Sequence, residues 1–354
     1  MCIRDSANVM SLDYLGALVG AVAFPLLLLP HLGLIRSSFA IGLVNSLTAL
    51  VNIFFFSDYL RRPRLFKAAA LAITALLLLF LVYGSLLTRY AEKQLYFDEI
   101  LYQQQTLYQK IVVTRAVARD DVRLYIDGHI QFSSRDEYRY HEALVHPLMA
   151  LPGSRERVLI LGGGDGLAAR EVLKYADVGV VHLVDIDPAM TRISRELPML
   201  AALNANSLDD PRVEIFNEDA LTFVNRPGPR YDRVIIDMPD PHNEAINKLY
   251  SREFYTMVRR RMTPQGVVVT QSSSPLVTRR TFWCIEQTLA AVFDHRLSYH
   301  VAIPSFGVWG FNMARNGEAL PRSFDFSVAT RFVDSGVMQA ALIFPADMRK
   351  PRSP

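Results

Sequence analysis

The sequence predicts an α/β protein, an open, doubly wound, mostly parallel sheet behind a strongly apolar helical region. Three observations carry this. From about residue 155 onward, short β-branched runs alternate with helix-length segments, the pattern of buried parallel strands joined by helices. The first of these runs ends in a glycine-rich turn, LILGGGDGL at 159–167. The first 90 or so residues hold three uncharged apolar stretches, 15–34, 40–56 and 68–87.

In chain order, MCIRDSANVM fits nothing that follows. It is not a signal peptide, because the apolar stretch begins late and no small-residue cleavage site follows it. The expectation is an N-terminally truncated fragment with a foreign leader. Two of the apolar stretches reach the length of a bilayer-spanning helix and the middle one is borderline. RRPRLFK at 61–67 suits a cytoplasmic loop or an anionic lipid contact. Residues 1–94 are therefore expected to be a transmembrane region of about three spans, incomplete, set in a lipid bilayer. Asn45, Thr48 and Asn52 share one helix face, expected to hydrogen-bond to another helix. Apolar residues make up 51% and the net charge is +3. No basic run with interleaved aromatics occurs elsewhere, which argues against nucleic acid. Cys2 and Cys284 lie far apart, so neither a disulfide framework nor a CxxC metal site is expected.

Residues 95–149 read as a small β-meander with an Asp-Gly hairpin signal in IDGH, then a helix over RDEYRYHEALVHPLMAL with Asp136 and Glu137 in its first turn. Residues 150–320 hold strands at 157–161, 180–185, 212–217, 233–238 and 266–271, with LSYHVAIP and GVWGFNMA as an antiparallel edge pair. Residues 321–354 read as an amphipathic helix and a basic tail.

Ligands in such sheets bind beyond the carboxyl ends of the strands. Gly162, Gly163 and Gly164 let the backbone approach a ligand closely. Asp185, ending the second strand, is placed to accept from ribose hydroxyls, or is a solvated strand-end acid. Asp165 inside the turn would repel a pyrophosphate. The ligand expected is thus a nucleoside without phosphates and with a cationic tail, as in S-adenosylmethionine and its relatives. Asp219 and Ala220 fall where an adenine would lie, though Asp219 read alone could be a loop acid. Asp237 and Asp240 straddle a Met-Pro turn at the sheet mouth. They suit a polyamine, binding ammonium groups and taking a proton as an amine becomes a nucleophile; Asp240 alone could be a turn residue.

YQKIVV, DGHIQFSSRDEYRYHEALVHP, VLILGGGDGLAAREVLKY, VHLVDIDPAM, NEDALTFV, YDRVIIDMPDP and LYSREFY together resemble the spermidine synthases, the polyamine aminopropyltransferases, over roughly residues 105–315. The apolar N-terminus is similar to that family's multi-pass membrane branch. The resemblance implies a Rossmann-like sheet of the S-adenosylmethionine-dependent methyltransferase type. It implies transfer of an aminopropyl group from decarboxylated S-adenosylmethionine, a co-substrate, to putrescine, with no metal. It implies that Gln109, Asp185, Asp219 and Ala220 hold the nucleoside, Asp165 the aminopropyl ammonium, and Tyr140, His141 and Asp240 the diamine, with Asp237 as proton acceptor. A homodimer or higher homo-oligomer in the cell membrane, catalytic domain on the cytoplasmic side, is the accompanying expectation. Two departures stand at the amine end. PHNEA puts Glu244 near a proline position of the soluble enzymes, and Phe306 is the best match to a late-hairpin tyrosine that in those enzymes helps the base. They leave room for a non-catalytic membrane polyamine sensor or transport partner. An amine methyltransferase is the other alternative, disfavoured by Asp165 beside the carboxylate of the intact donor.

Overall fold

The computed structural model describes residues 3–116, 120–241 and 244–351. They divide into two units, Met1–Arg119 with Ile126–Gly128, and Asp120–Tyr125 with His129–Pro354. Met1 and Cys2 of the expected leader lie outside the described residues.

The first unit is led by helices α1 (Ile3–Ala23), a π turn at Phe24–Leu28, α2 (Leu29–Phe55) and α3 (Pro63–Leu95). Pro25 accompanies the π turn, and Gly33, with φ of 72°, breaks the helical path inside α2. Three stretches are long and apolar enough to cross a membrane: Met10–Leu28, Ile35–Phe55 and Pro63–Gly84. The middle one resumes just past the Gly33 break and reaches 21 residues, about 30 Å of helix, so it is not the borderline segment the sequence suggested. The polar face does not make the contact between α2 and α3. Asn45, Thr48 and Asn52 are exposed, and Thr48 donates to the Val44 carbonyl of its own helix. Helices α2 and α3 instead meet through Ser46 and Thr74, whose hydroxyls lie 2.8 Å apart, and through stacked Phe39 and Phe80. Small residues win this face because they let the backbones approach; a Cβ on Gly42 would stand 3.3 Å from Leu77.

Strands β1 (Glu99–Gln105) and β2 (Lys110–Ala116) pair antiparallel. Strands β3 (Asp121–Ile126) and β4 (His129–Ser133) flank Asp127 and Gly128, whose φ values of 50° and 84° are those an Asp-Gly hairpin turn requires. Helix α4 (Glu137–Met149) follows. Asp136 stands before it as the cap residue rather than in its first turn, and its carboxylate accepts from the Ser305 amide and hydroxyl.

The remaining elements are β5 (Arg157–Gly162), α5 (Leu167–Val172), β6 (Val180–Val184), α6 (Pro188–Glu196), α7 (Pro198–Leu203), β7 (Val213–Phe216), α8 (Ala220–Asn225), β8 (Tyr231–Asp237), α9 (Glu244–Asn247), α10 (Arg252–Arg260), β9 (Met262–Gln271), α11 (Arg279–Ala290), β10 (His295–Ile303), β11 (Gly307–Arg315) and α12 (Ser335–Ala341). The sheet order is β10-β11-β9-β8-β5-β6-β7. Pairing is parallel from β9 to β7, and β11 and β10 add the expected antiparallel edge. Alternate side chains of each strand serve opposite faces. Val158 and Ile160 join one apolar cluster with α4 and α5, while Leu159 and Leu161 join another with α8, α10 and α11. Helix α4, read from the sequence as part of the segment 95–149, thus belongs to the sheet's own core. The C-terminal segment is a strap. The Glu142 carboxylate accepts from the amides of Arg331, Phe332 and Val333, α12 buries Met338 and Ala341, and Trp283 donates to the Met348 carbonyl.

Candidate active site

From β5 the chain winds outward through β6 to β7, and from β8 the other way to β9. The crevice beyond β5 and β8 is the point where such folds take their ligands. Gly162 and Asp237 stand opposite each other there. Gly162 and Gly163 have φ of 86° and 66°, and a Cβ on Gly162 would overlap the Asp237 carbonyl. Only glycine meets both demands. Gly164 donates its amide to Asp185 Oδ2 at 2.9 Å, and Asp187 donates to Oδ1 at 2.9 Å. Burial still pushes the Asp185 carboxyl up to about 6. Each carboxylate oxygen has a second lone pair open to a hydroxyl.

Asp165 Oδ1 accepts from the Leu167 amide at 2.9 Å, and the Asp165 carbonyl accepts from Asn204 Nδ2 at 2.9 Å. Burial raises the carboxyl above its ordinary range, against the pull of the nearby His141 charge. Ala220 opens α8, and Asp219 caps that helix through the Thr222 amide while Lys248 Nζ pairs with its other oxygen at 2.7 Å. Burial opposes the charged form, but these partners prevail and hold Asp219 below the usual carboxylate range. A nucleoside amine at Asp219 would share the carboxylate with Lys248.

Asp237 ends β8, and its Oδ1 accepts from the Tyr140 hydroxyl at 2.6 Å. Burial lifts this carboxyl to about 6; His141 pulls it down and Asp165 pushes it up. His141 is itself held near 9, since the hydrogen bond and charge of Glu137 outweigh burial. Tyr140 lies edge-on to Phe306 with ring centroids 6.0 Å apart, and Phe306 is edge-on to Trp309 at 5.0 Å. Asp240 Oδ2 accepts from the Ser273 hydroxyl at 3.1 Å.

Sequence reasoning missed how the Met-Pro turn between the two acids is held. Gln271 donates to the Met238 carbonyl at 2.6 Å and to the Tyr250 hydroxyl at 2.5 Å, and Tyr250 donates to the Pro239 carbonyl at 3.0 Å. Gln271 Oε1 accepts from the Ser273 amide and from Trp309 Nε1. The signal was the polar run QSSS directly after the apolar GVVVT, since a buried strand that turns polar at its carboxyl end must satisfy those groups locally. Gly162 to Gly164, Asp165, Asp185, Asp237, Asp240, Tyr140 and His141 all belong to the second unit. Gln109 lies in the β1–β2 turn of the first unit, where its carbonyl accepts from the Thr106 amide. Of the PHNEA departure, residues 242 and 243 lie outside the described residues, and Glu244 opens α9. Away from the crevice, Glu142, His146 and Glu171 cluster within metal-ligand range. Their donors are engaged: His146 with Glu171 and Tyr175, Glu142 with the strap amides.

A doubly wound sheet with a glycine turn and a strand-end acid at the switch point has the form of a nucleoside-binding α/β domain. The spermine/spermidine synthase domain model matches residues 137–324, and the chain belongs to that family. It is 44% identical to polyamine aminopropyltransferase 1 of Streptomyces coelicolor, over 97% of this chain and 66% of that protein. It is 41% identical to the polyamine aminopropyltransferase of Oceanobacillus iheyensis, over 97% of this chain and 67% of that one. The chain thus spans about two thirds of the length of these relatives. A spermidine synthase solved with the transition-state analogue AdoDATO superimposes with a TM-score of 0.65 at 26% identity, over 70% of this chain and 86% of that one. The spermidine synthase of Thermotoga maritima gives 0.63 at 26% identity, over 70% and 85%.

Proposed function

We propose that the chain is a polyamine aminopropyltransferase that moves the aminopropyl group of decarboxylated S-adenosylmethionine to putrescine, giving spermidine and 5′-methylthioadenosine. The observation that carries this reading is the Tyr140-bound Asp237 at the switch point, directly across the register from the glycine turn that holds Asp165. One acid is placed for a tail ammonium and the other for the attacking amine.

In the reaction the amine nitrogen attacks the carbon next to sulfur. The carbon–sulfur bond breaks, its electron pair stays on sulfur, and the positive charge of the sulfonium is lost. Asp237 takes the proton that the new secondary amine sheds. A carboxyl near 6 is a stronger base than an ordinary aspartate, yet is ionised at neutral pH. Tyr140 orients it. Most of the rate comes from alignment of amine, carbon and sulfur. Gln271 and Tyr250 contribute by fixing the turn that carries Asp237 and Asp240. On this reading Asp185, Asp219 and Ala220 hold the nucleoside, and Tyr140, His141 and Asp240 line the amine path.

The three apolar helical stretches belong in a lipid bilayer, which makes this a multi-pass member of the family, working as a homo-oligomer with its catalytic unit on the cytoplasmic side where the donor is made. Supporting the bilayer reading, Leu18, Val44 and Leu79 are half exposed or more, a cost in water that lipid removes. The test of the chemistry is product mass. Full-length protein given the decarboxylated donor and putrescine, cadaverine or spermidine should yield one amine heavier by an aminopropyl group. A methylated amine from the intact donor, or no product from a protein that binds methylthioadenosine, would refute it.

A further inference from the structure

Beside the reacting groups lies a buried ionic chain of which the mechanism above uses only His141. His141 Nδ1 stands 2.8 Å from the Glu137 carbonyl and 2.9 Å from Glu137 Oε2. Arg170 grips the same carboxylate with both terminal nitrogens, each at 2.9 Å, and donates to the Leu203 carbonyl and to Glu171. Glu137 and His141 are buried at 1% and 2% exposure. The Glu137 carbonyl can only accept, and its carboxylate, kept ionised by the two-pronged guanidinium, can likewise only accept. Nδ1 must therefore carry a hydrogen, and Nε2 is left as the ring nitrogen able to exchange a proton.

We propose that Glu137 and Arg170 are positioning residues of the transfer site, fixing the tautomer and positive charge of His141 and thereby setting how readily Asp237 takes a proton. The inference rests on the transferase reading and adds to it a device outside the substrate path. Without the pair, a buried imidazole would shed its charge, because burial alone disfavours the cation. Its field on Asp165 and Asp237 would vanish with it. Asp165 is faced by His141 and Glu137 from α4 and Arg170 from α5, and Asp237 by His141 and Tyr140 from α4 and Asp165 from the turn, with Asp240 and Tyr250 acting through Tyr140. Among these, the imidazolium is the cation that bears on Asp237.

The test is the pH profile of kcat/KM for aminopropyl transfer by the full chain. Glu137→Gln should move the acid limb up by about one pH unit, so that activity lost at pH 7 returns at higher pH. Glu137→Asp, which restores the charge, should move it back. Arg170→Gln should shift the limb the same way by less, and serves if Glu137→Gln does not fold. An acid limb unmoved in the folded variant, with kcat/KM lowered evenly across pH, would reduce the pair to a structural brace and overturn the proposal. Absence of transfer by the parent protein would instead refute the transferase reading, so the two failures are distinct.

Discussion

Asp237→Asn separates what the acid does for catalysis from what it costs the fold. The Asp237 carboxyl is raised from 3.8 to about 6, chiefly by burial. A rise of this size corresponds to about 3 kcal/mol at 1.36 kcal/mol per unit. Because the carboxylate is only half-buried, water screening reduces this to about 2 kcal/mol. For a raised carboxyl the favourable contribution is present below the unfolded value. It is lost as pH climbs from about 4 through 6, where the unfolded chain has released its proton and the folded one has not. Asparagine never pays that cost and still offers Tyr140 an oxygen to bond. Thermal melts of the two full-length proteins, followed by near-ultraviolet circular dichroism, should coincide near pH 4. Above pH 6.5 the variant should be the more stable by about 2 kcal/mol, while its transfer activity is lost. A variant less stable than the parent at pH 8 would refute the reasoning, because it would mean that the carboxylate is stabilised by its surroundings.

Two further outcomes follow from the same geometry. Asp165→Asn should weaken binding of the decarboxylated donor by at least tenfold, the scale of a charge-assisted contact, and leave methylthioadenosine, which lacks the tail ammonium, within about threefold; equilibrium dialysis of both ligands checks this, and equal losses would remove Asp165 from the ammonium. Gly164→Ala should damage nucleoside binding with little loss of stability elsewhere, since the added Cβ overlaps Asp185 Oδ2 at the point where the turn and the strand-end acid meet; unchanged methylthioadenosine affinity in calorimetry would show that this contact is not used.

The parallel strands were legible in the sequence because they are short β-branched runs, the central ones buried on both faces, and the glycine turn because its backbone demands are local. The acids at strand ends were legible for the same reason: an acid closing an apolar run needs a purpose. What the sequence hid was non-local. The polar run at Gln271 announces that it needs partners, but not that one of them is the Met238 carbonyl, 33 residues back along the chain. Nor does Arg170, on an ordinary helical segment, reveal its grip on Glu137. The membrane-like helices show the converse error. Their existence was plain from composition, but the face that joins α2 to α3 was not. Polar Asn45 and Asn52 drew attention, while the small Gly42 and Ser46 make the approach to α3.

The central claim is that the tail of the donor is a bare ammonium, matched by Asp165, and that its carbon next to sulfur is attacked by an amine. Release of methylthioadenosine by the full-length protein with putrescine, compared between decarboxylated and intact S-adenosylmethionine, tests it most directly. The account predicts release with the decarboxylated donor and almost none with the intact one. Equal release from both, or turnover of the intact donor to S-adenosylhomocysteine, would contradict it.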